Sequence, residues 1–171
     1  MSIRYLAVVP ALLIATAAFG QGTQTAHADI VNGQGQKIGS ATLTQESGGV
    51  LIQANVTKLP AGTHAMHIHA AGKCEGPDFK SAAGHFNPYG KQHGKDNPSG
   101  SHAGDLPNFD VDAAGNATIS ILASSVSLAD GPNSLFHEGG SAIVIHEKAD
   151  DYKTDPTGNA GARLACGVIQ K

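Results

Sequence analysis

The stretch "GTHAMHIHAAGKC", residues 62–74, crowds His64, His67 and His69 together and follows them with Cys74. Imidazole is a neutral nitrogen ligand near pH 7, so this crowding raises metal coordination before any other chemistry. In a strand, residues two apart share a face, which would project His67 and His69 together and turn His64 elsewhere. Further on, His85, His93, His102 and Asp105 sit in a Gly-, Pro- and Asp-rich stretch with no hydrophobic face to explain them. Three imidazoles and one carboxylate make a four-coordinate set suited to zinc, closed to water and therefore structural in character. His146 ends the apolar run "SAIVIHE" (141–147), where packing alone favours Val or Leu, and is a ligand candidate for the His67/His69 pair. Each of these residues also has an ordinary reading: His67 and His69 as strand surface, Asp105 as a loop cap.

The elements that must hold these residues are short. Alternating segments recur at 37–45, 50–59, 64–70, 116–122 and 141–147, and Ala26, Ala28 and Ile30 alternate in an earlier one. Turn signals such as Asn32-Gly33, Gly48-Gly49 and Gly139-Gly140 separate them. With 22 Gly, no Trp and 5% aromatic residues, the composition favours an all-β sandwich or barrel over long helices. Residues 71–110 and 148–162 break the rhythm as two long loops, which in a compact domain usually carry function. A formal charge of −3 argues against a polyanion such as nucleic acid as partner.

The amino terminus has a lone Arg4 followed by an apolar run from Tyr5 to Phe19, too short for a comfortable membrane span, and reads as a secretion signal covering residues 1–20. Cleavage after Gly20 leaves residues 21–171 as one exported domain with no integral membrane span; the alternative cut, after Ala28, would remove the first alternating segment. In an oxidising compartment the only two cysteines, Cys74 and Cys166, are expected to bridge.

Together, "HAMHIHAAGKC", "GHFNPYGKQHGKDNPSGSHAGDLPN", "AIVIHEKADDY" and "GNAGARLACGVI" resemble the copper-zinc superoxide dismutases, from about residue 30 to Lys171. The resemblance implies a Greek-key β-sandwich or flattened barrel with two long functional loops, one copper and one zinc ion per subunit, and superoxide as substrate. It makes His67, His69, His85 and His146 the copper ligands, and gives zinc His85, His93, His102 and Asp105, with His85 bridging both ions. Cys74 and Cys166 match the family's disulfide, and Arg163 matches the arginine that attracts and orients superoxide. Asp150 matches the carboxylate joining one ligand of each metal, and His64 a structural histidine. His27 and His137 match no motif and read as exposed or locally hydrogen-bonded.

Two departures from the family stand out. The stretch from His146 to Arg163 is shorter than in eukaryotic members and lacks a clear match for their steering charges, with Lys153 a possible substitute; Arg163 itself could be an ordinary ion-pair partner. The stretch from Cys74 to His85 is longer and resembles bacterial members, whose possible homodimer contacts the motifs leave open. The resemblance implies an exported enzyme of periplasm, cell envelope or extracellular space. The alternatives are a copper- or zinc-binding or copper-delivery protein of the same fold without turnover, and an envelope interaction module; the latter predicts eroded metal positions, and none is eroded.

Overall fold

The computed structural model describes residues 22–171. The segment 1–20, expected as a secretion signal, therefore lies outside the described residues. Among the described residues nine strands form: β1 (Thr25–Asn32), β2 (Lys37–Glu46), β3 (Gly49–Val56), β4 (Gly62–His64), β5 (Met66–His69), β6 (Phe109–Val111), β7 (Ala117–Ala123), β8 (Ala142–His146) and β9 (Arg163–Val168). A single 3-10 turn, Lys80–Ala82, interrupts the first long loop. The strands make one seven-stranded sheet, ordered β5-β8-β9-β1-β2-β3-β7, and a small sheet of β4 and β6. All pairings between these strands are antiparallel, and chain-distant neighbours such as β3 and β7 are joined by long connections of the Greek-key kind.

Alternation dictates the core. In β1 the side chains of Ala26, Ala28 and Ile30 are buried while their neighbours Thr25, His27 and Asp29 are exposed. Leu43, Ile52, Ile119, Ile143, Ile145, Met66 and Ile68 join them in one cluster, so the sheet must curl around a single interior. The register of β1 on β2 shifts between Ile30 and Val31, an irregularity that re-aims Ile38 inward and breaks the parity along β2.

β5 and β8 are buried on both faces. Met66, Ile68, Ile143 and Ile145 point to the main core. On the opposite face lie His67, His69 and His146, together with Ala142 and Val144, which pack into a second cluster with Phe79, Ala82 and Cys166. The sheet thus has an apolar inside and, at one end, a histidine-bearing outside that the two long loops cover.

The expected strand 64–70 divides in two at Ala65, whose N–H donates to Lys148 O and whose carbonyl accepts the His146 N–H. The break lets β4 pair with β6 while β5 pairs with β8. His64 occupies the junction, with Nδ1 2.8 Å from the His146 carbonyl and Nε2 2.9 Å from the Pro60 carbonyl. It is structural, as the resemblance implied.

A disulfide joins Cys74 to Cys166 across a sequence separation of 92. It ties the first long loop to β9, beside the buried ring of Phe79. Closing a loop of this length removes chain entropy from the unfolded state. Replacing both cysteines by serine is expected to lower unfolding free energy by about 2–5 kcal/mol in urea titrations; an unchanged midpoint would contradict the tether.

Candidate metal centre

The long loop reaches the histidine face through backbone contacts along the free edge of β5. Ile68 N–H donates to Gly104 O, Phe86 N–H to Ile68 O, and Gly104 N–H to Phe86 O. Gly104 must be glycine here, because a Cβ would strike the Ile68 carbonyl. These contacts bring His85 opposite His69 and Asp105 opposite His67. Residues distant in sequence are thereby placed over one end of the sheet.

Two clusters result. In the first, His67, His69, His85 and His146 each offer a ligand atom, all within 4.8 Å of one another. In the second, the Nδ1 atoms of His85, His93 and His102 lie 2.9, 3.0 and 3.1 Å from a single Asp105 oxygen, Oδ1. Its other oxygen, Oδ2, accepts the backbone N–H groups of Gly94 and His102, which fixes the carboxylate. His85 belongs to both clusters, one nitrogen to each. Every residue the sequence assigned to a metal is therefore brought together as assigned.

The partners of each ring decide which nitrogen faces a metal. His67 Nε2 lies 2.6 Å from Asp150 Oδ2, leaving Nδ1 for the first cluster. His69 Nδ1 bonds the Ala83 carbonyl at 2.9 Å, and its Nε2 faces His146 Nε2 at 3.4 Å. His67 Nδ1 and His85 Nε2 are buried without a hydrogen-bond partner. Unpaired buried nitrogens that converge are costly unless something binds them, and a cation among four imidazoles satisfies them at once. The second cluster, three nitrogens and one carboxylate oxygen, has the donor set of a closed zinc site. Both residue sets fit the ions they were assigned.

Protonation follows from burial. His69 is pushed down to about 2, by burial first and then by the charge at His85. His146 falls to about 3, through burial and then the charges of His67 and His85, with a backbone contact at Gly161 opposing. His85 falls to about 4, burial outweighing the pull of Asp105. These rings are neutral at pH 7, as ligands must be. His93 goes the other way, up to about 9: burial pushes it down, but hydrogen bonds to Asp105 and Asp150 prevail. Asp105 and Asp150 are both held below the usual carboxylate range, because their histidine hydrogen bonds outweigh burial.

Asp150 spans the clusters: Oδ2 takes His67, and Oδ1 lies 2.9 Å from His93 Nε2. Gly158 leaves room for this bridge; a Cβ there would collide with Asp150 Oδ1 and crowd His93. Arg163 opens β9, and its Nη1 and Nη2 each donate at 2.7 Å, to Phe79 O and Ala83 O respectively. Ala83 O thus joins Arg163 to the His69 ring. Arg163 and His146 line an open depression of about 540 Å³ with Asp78, Lys80, Thr157 and Gly161. Lys153 is not among the lining residues, whereas Lys80, from the lengthened loop after Cys74, is; it pairs with Asp78 at 2.7 Å. Of the two unmatched histidines, His27 is exposed, and His137 stacks on Phe86 at 5.0 Å and accepts a local N–H from Gly139.

Sequence reading passed over Asn108 and Tyr152. Asn108 Nδ2 donates to Asp150 O, and the Tyr152 N–H to Asp150 Oδ1. Neither residue type announces such a role; the nearest signal is that Asn108 follows Asp105 by three positions.

A profile described as copper/zinc superoxide dismutase (SODC) matches residues 37–169. Cu-Zn superoxide dismutase 1 of Aquifex aeolicus (strain VF5) is 56% identical over 146 residues, covering 84% of this chain and 86% of that protein. Cu-Zn superoxide dismutase 2 of the same organism is 53% identical over 161 residues, covering 93% and 94%. Among solved structures, a double mutant of a SOD-like protein from Bacillus subtilis matches with a TM-score of 0.82 at 43% identity, covering 85% of this chain and 97% of that one.

The histidine shifts set the acid stability of the metal-free protein. His69, His85 and His146 have folded values below the ordinary 6.5, so the unfolded chain binds more protons and stability is lost as pH falls below about 6.5. His93, raised to about 9, contributes stability that is full below 6.5 and lost as pH rises through 9. Urea unfolding of the metal-free protein is expected to show maximal stability near pH 6.5–7, with a steep acid flank and a gentle alkaline one. A flat profile, or one that keeps rising toward acid, would contradict these assignments.

Proposed function

The chain belongs to the copper/zinc superoxide dismutase family, and from that premise we infer how its own residues divide the work of dismutation. The copper site is His67, His69, His85 and His146, and the zinc site is His85, His93, His102 and Asp105, with His85 shared. The single observation that carries the reading is the pair of buried, unpartnered nitrogens, His67 Nδ1 and His85 Nε2, aimed into a four-imidazole cluster whose member His85 also serves the second cluster.

The reaction converts two superoxide anions and two protons into oxygen and hydrogen peroxide. Bound in the first cluster, copper supplies the one-electron cycle this needs, while zinc in the second supplies a fixed charge. The residues do the rest. Arg163 keeps a positive charge at the mouth of the depression beside His146, where it attracts and orients an anion against the protein's net negative charge. Its guanidinium is locked by the two loop carbonyls, so orientation costs little entropy at capture. His85 Nε2, buried and without a hydrogen-bond partner, is the atom placed to hold a proton for the departing peroxide, while its Nδ1 stays with the zinc set. Asp150 holds the Nε2 protons of His67 and His93, which fixes both rings with Nδ1 toward the metals. His67 and His69 are fully buried, whereas His146 lines the depression that Arg163 shares.

The disulfide fits an oxidising compartment, and no helix among the described residues is long and apolar enough to cross a membrane. Our reading extends this to an exported enzyme of periplasm, envelope or extracellular space. Cleavage after Gly20 would leave all of β1, whose Ala26 and Ala28 are core residues that a cut after Ala28 would remove. Pairing into a homodimer belongs to the same reading, and sedimentation velocity of the mature chain tests it.

A metal carrier without turnover would bind both ions yet leave superoxide untouched. Dismutation by protein loaded with copper and zinc separates the two readings. His146→Ala is expected to abolish turnover while zinc content is kept; activity retained in this variant would contradict the assignment. Arg163→Gln should lower kcat/KM about ten-fold or more and flatten its ionic-strength dependence at unchanged metal content. An unaltered salt dependence would remove Arg163 from anion capture.

A further inference from the structure

Asn108 and Tyr152 ligate neither metal, yet both close on Asp150. The Asn108 amide pairs with the Asp150 main chain as a neighbouring strand would: Asp150 N–H donates to Oδ1 at 2.8 Å, and Nδ2 donates to Asp150 O at 2.9 Å. The Asn108 backbone N–H donates to the Tyr152 hydroxyl at 2.7 Å, and the Tyr152 N–H donates to Asp150 Oδ1 at 2.6 Å. Tyr152 is in turn anchored to the other loop. Its carbonyl accepts the Asp96 N–H at 3.0 Å, and Lys95 Nζ lies 4.3 Å from its ring centre.

Asp150 has an exacting task. Its two oxygens must serve His67 and His93 on different sides, and a rotation that improves one bond spoils the other. A lone backbone contact would let the residue pivot. The two-point amide pairing from Asn108 prevents this, and the Tyr152 N–H adds a third bond on Oδ1 itself. Because Asn108 follows the zinc-set residue Asp105 by three positions, the same short segment carries one wall of the zinc site and the brace for the carboxylate.

We propose that Asn108 and Tyr152 are positioning residues that hold Asp150 in register, so that copper and zinc sites are set as one unit. The proposal rests on the two-metal reading above. A group that orients a ligand through hydrogen bonds alters metal affinity by about 10–100-fold when removed, and these two act one step behind such a group.

Tyr152→Phe deletes one oxygen and keeps the ring; Asn108→Ala deletes the amide. In fully loaded protein, chelator-driven zinc release should accelerate, by about ten-fold in Asn108→Ala and less in Tyr152→Phe. The copper(II) electron paramagnetic resonance spectrum should also shift at equal metal content. In an Asp150→Asn background, Tyr152→Phe should add nothing further to zinc release. Wild-type release and an unchanged copper spectrum, even with a lower metal-free melting temperature, would reduce both residues to ties between loops and overturn the proposal. So would the same acceleration persisting in the Asp150→Asn background. If Asn108→Ala fails to fold, Tyr152→Phe decides alone. Wild type that takes up no copper and zinc would overturn the two-metal reading and this proposal together.

Discussion

The structure depends on His85 facing two ways. One nitrogen lies against the Asp105 carboxylate and the other ends, unpartnered, among three further imidazoles. No side chain other than histidine offers two opposed nitrogens on a rigid ring. Everything around it serves to keep that ring buried and fixed: the Gly104 contact that docks its loop, the face of β5 that supplies His67 and His69, and the end of β8 that supplies His146. Burial first, and then the mutual repulsion of so dense a set of imidazoles, keeps His69, His85 and His146 neutral.

The fold separates two jobs by strand parity. Along β5 and β8 the inward residues Met66, Ile68, Ile143 and Ile145 complete the apolar core, and the outward ones carry the metal ligands. The ligand face is rigid because its other side is core. The second cluster around Phe79 does the same for Arg163: it seats the loop whose carbonyls at Phe79 and Ala83 hold the guanidinium, and the disulfide binds that loop to β9. Ala83 O, shared between Arg163 and His69, is the point where the arginine proposed for anion capture and the copper set touch.

Much of this was legible in the sequence, for stated reasons. Alternation marked β1, β2, β3 and β7, the apolar run 141–147 marked β8, and the histidines stood out because no packing argument wants them in Gly-rich loops. What stayed hidden was local and three-dimensional. The break at Ala65 depends on its N–H donating to Lys148 O and its carbonyl accepting the His146 N–H, both far along the chain. Lys80, not Lys153, lines the approach because the lengthened loop after Cys74 folds back over β9. Asn108 and Tyr152 brace Asp150 mainly through amide and backbone groups, which almost any loop sequence could supply. Composition and spacing report which atoms can ligate; they do not report which carbonyl a ring will find.

The most direct test is anomalous diffraction from crystals loaded with copper and zinc, with data at both absorption edges. The account predicts two separate ions, copper against His85 Nε2 with His67, His69 and His146, and zinc against His85 Nδ1 with His93, His102 and Asp105. A single ion, or two ions with His85 touching only one, would contradict the shared ring on which the rest is built.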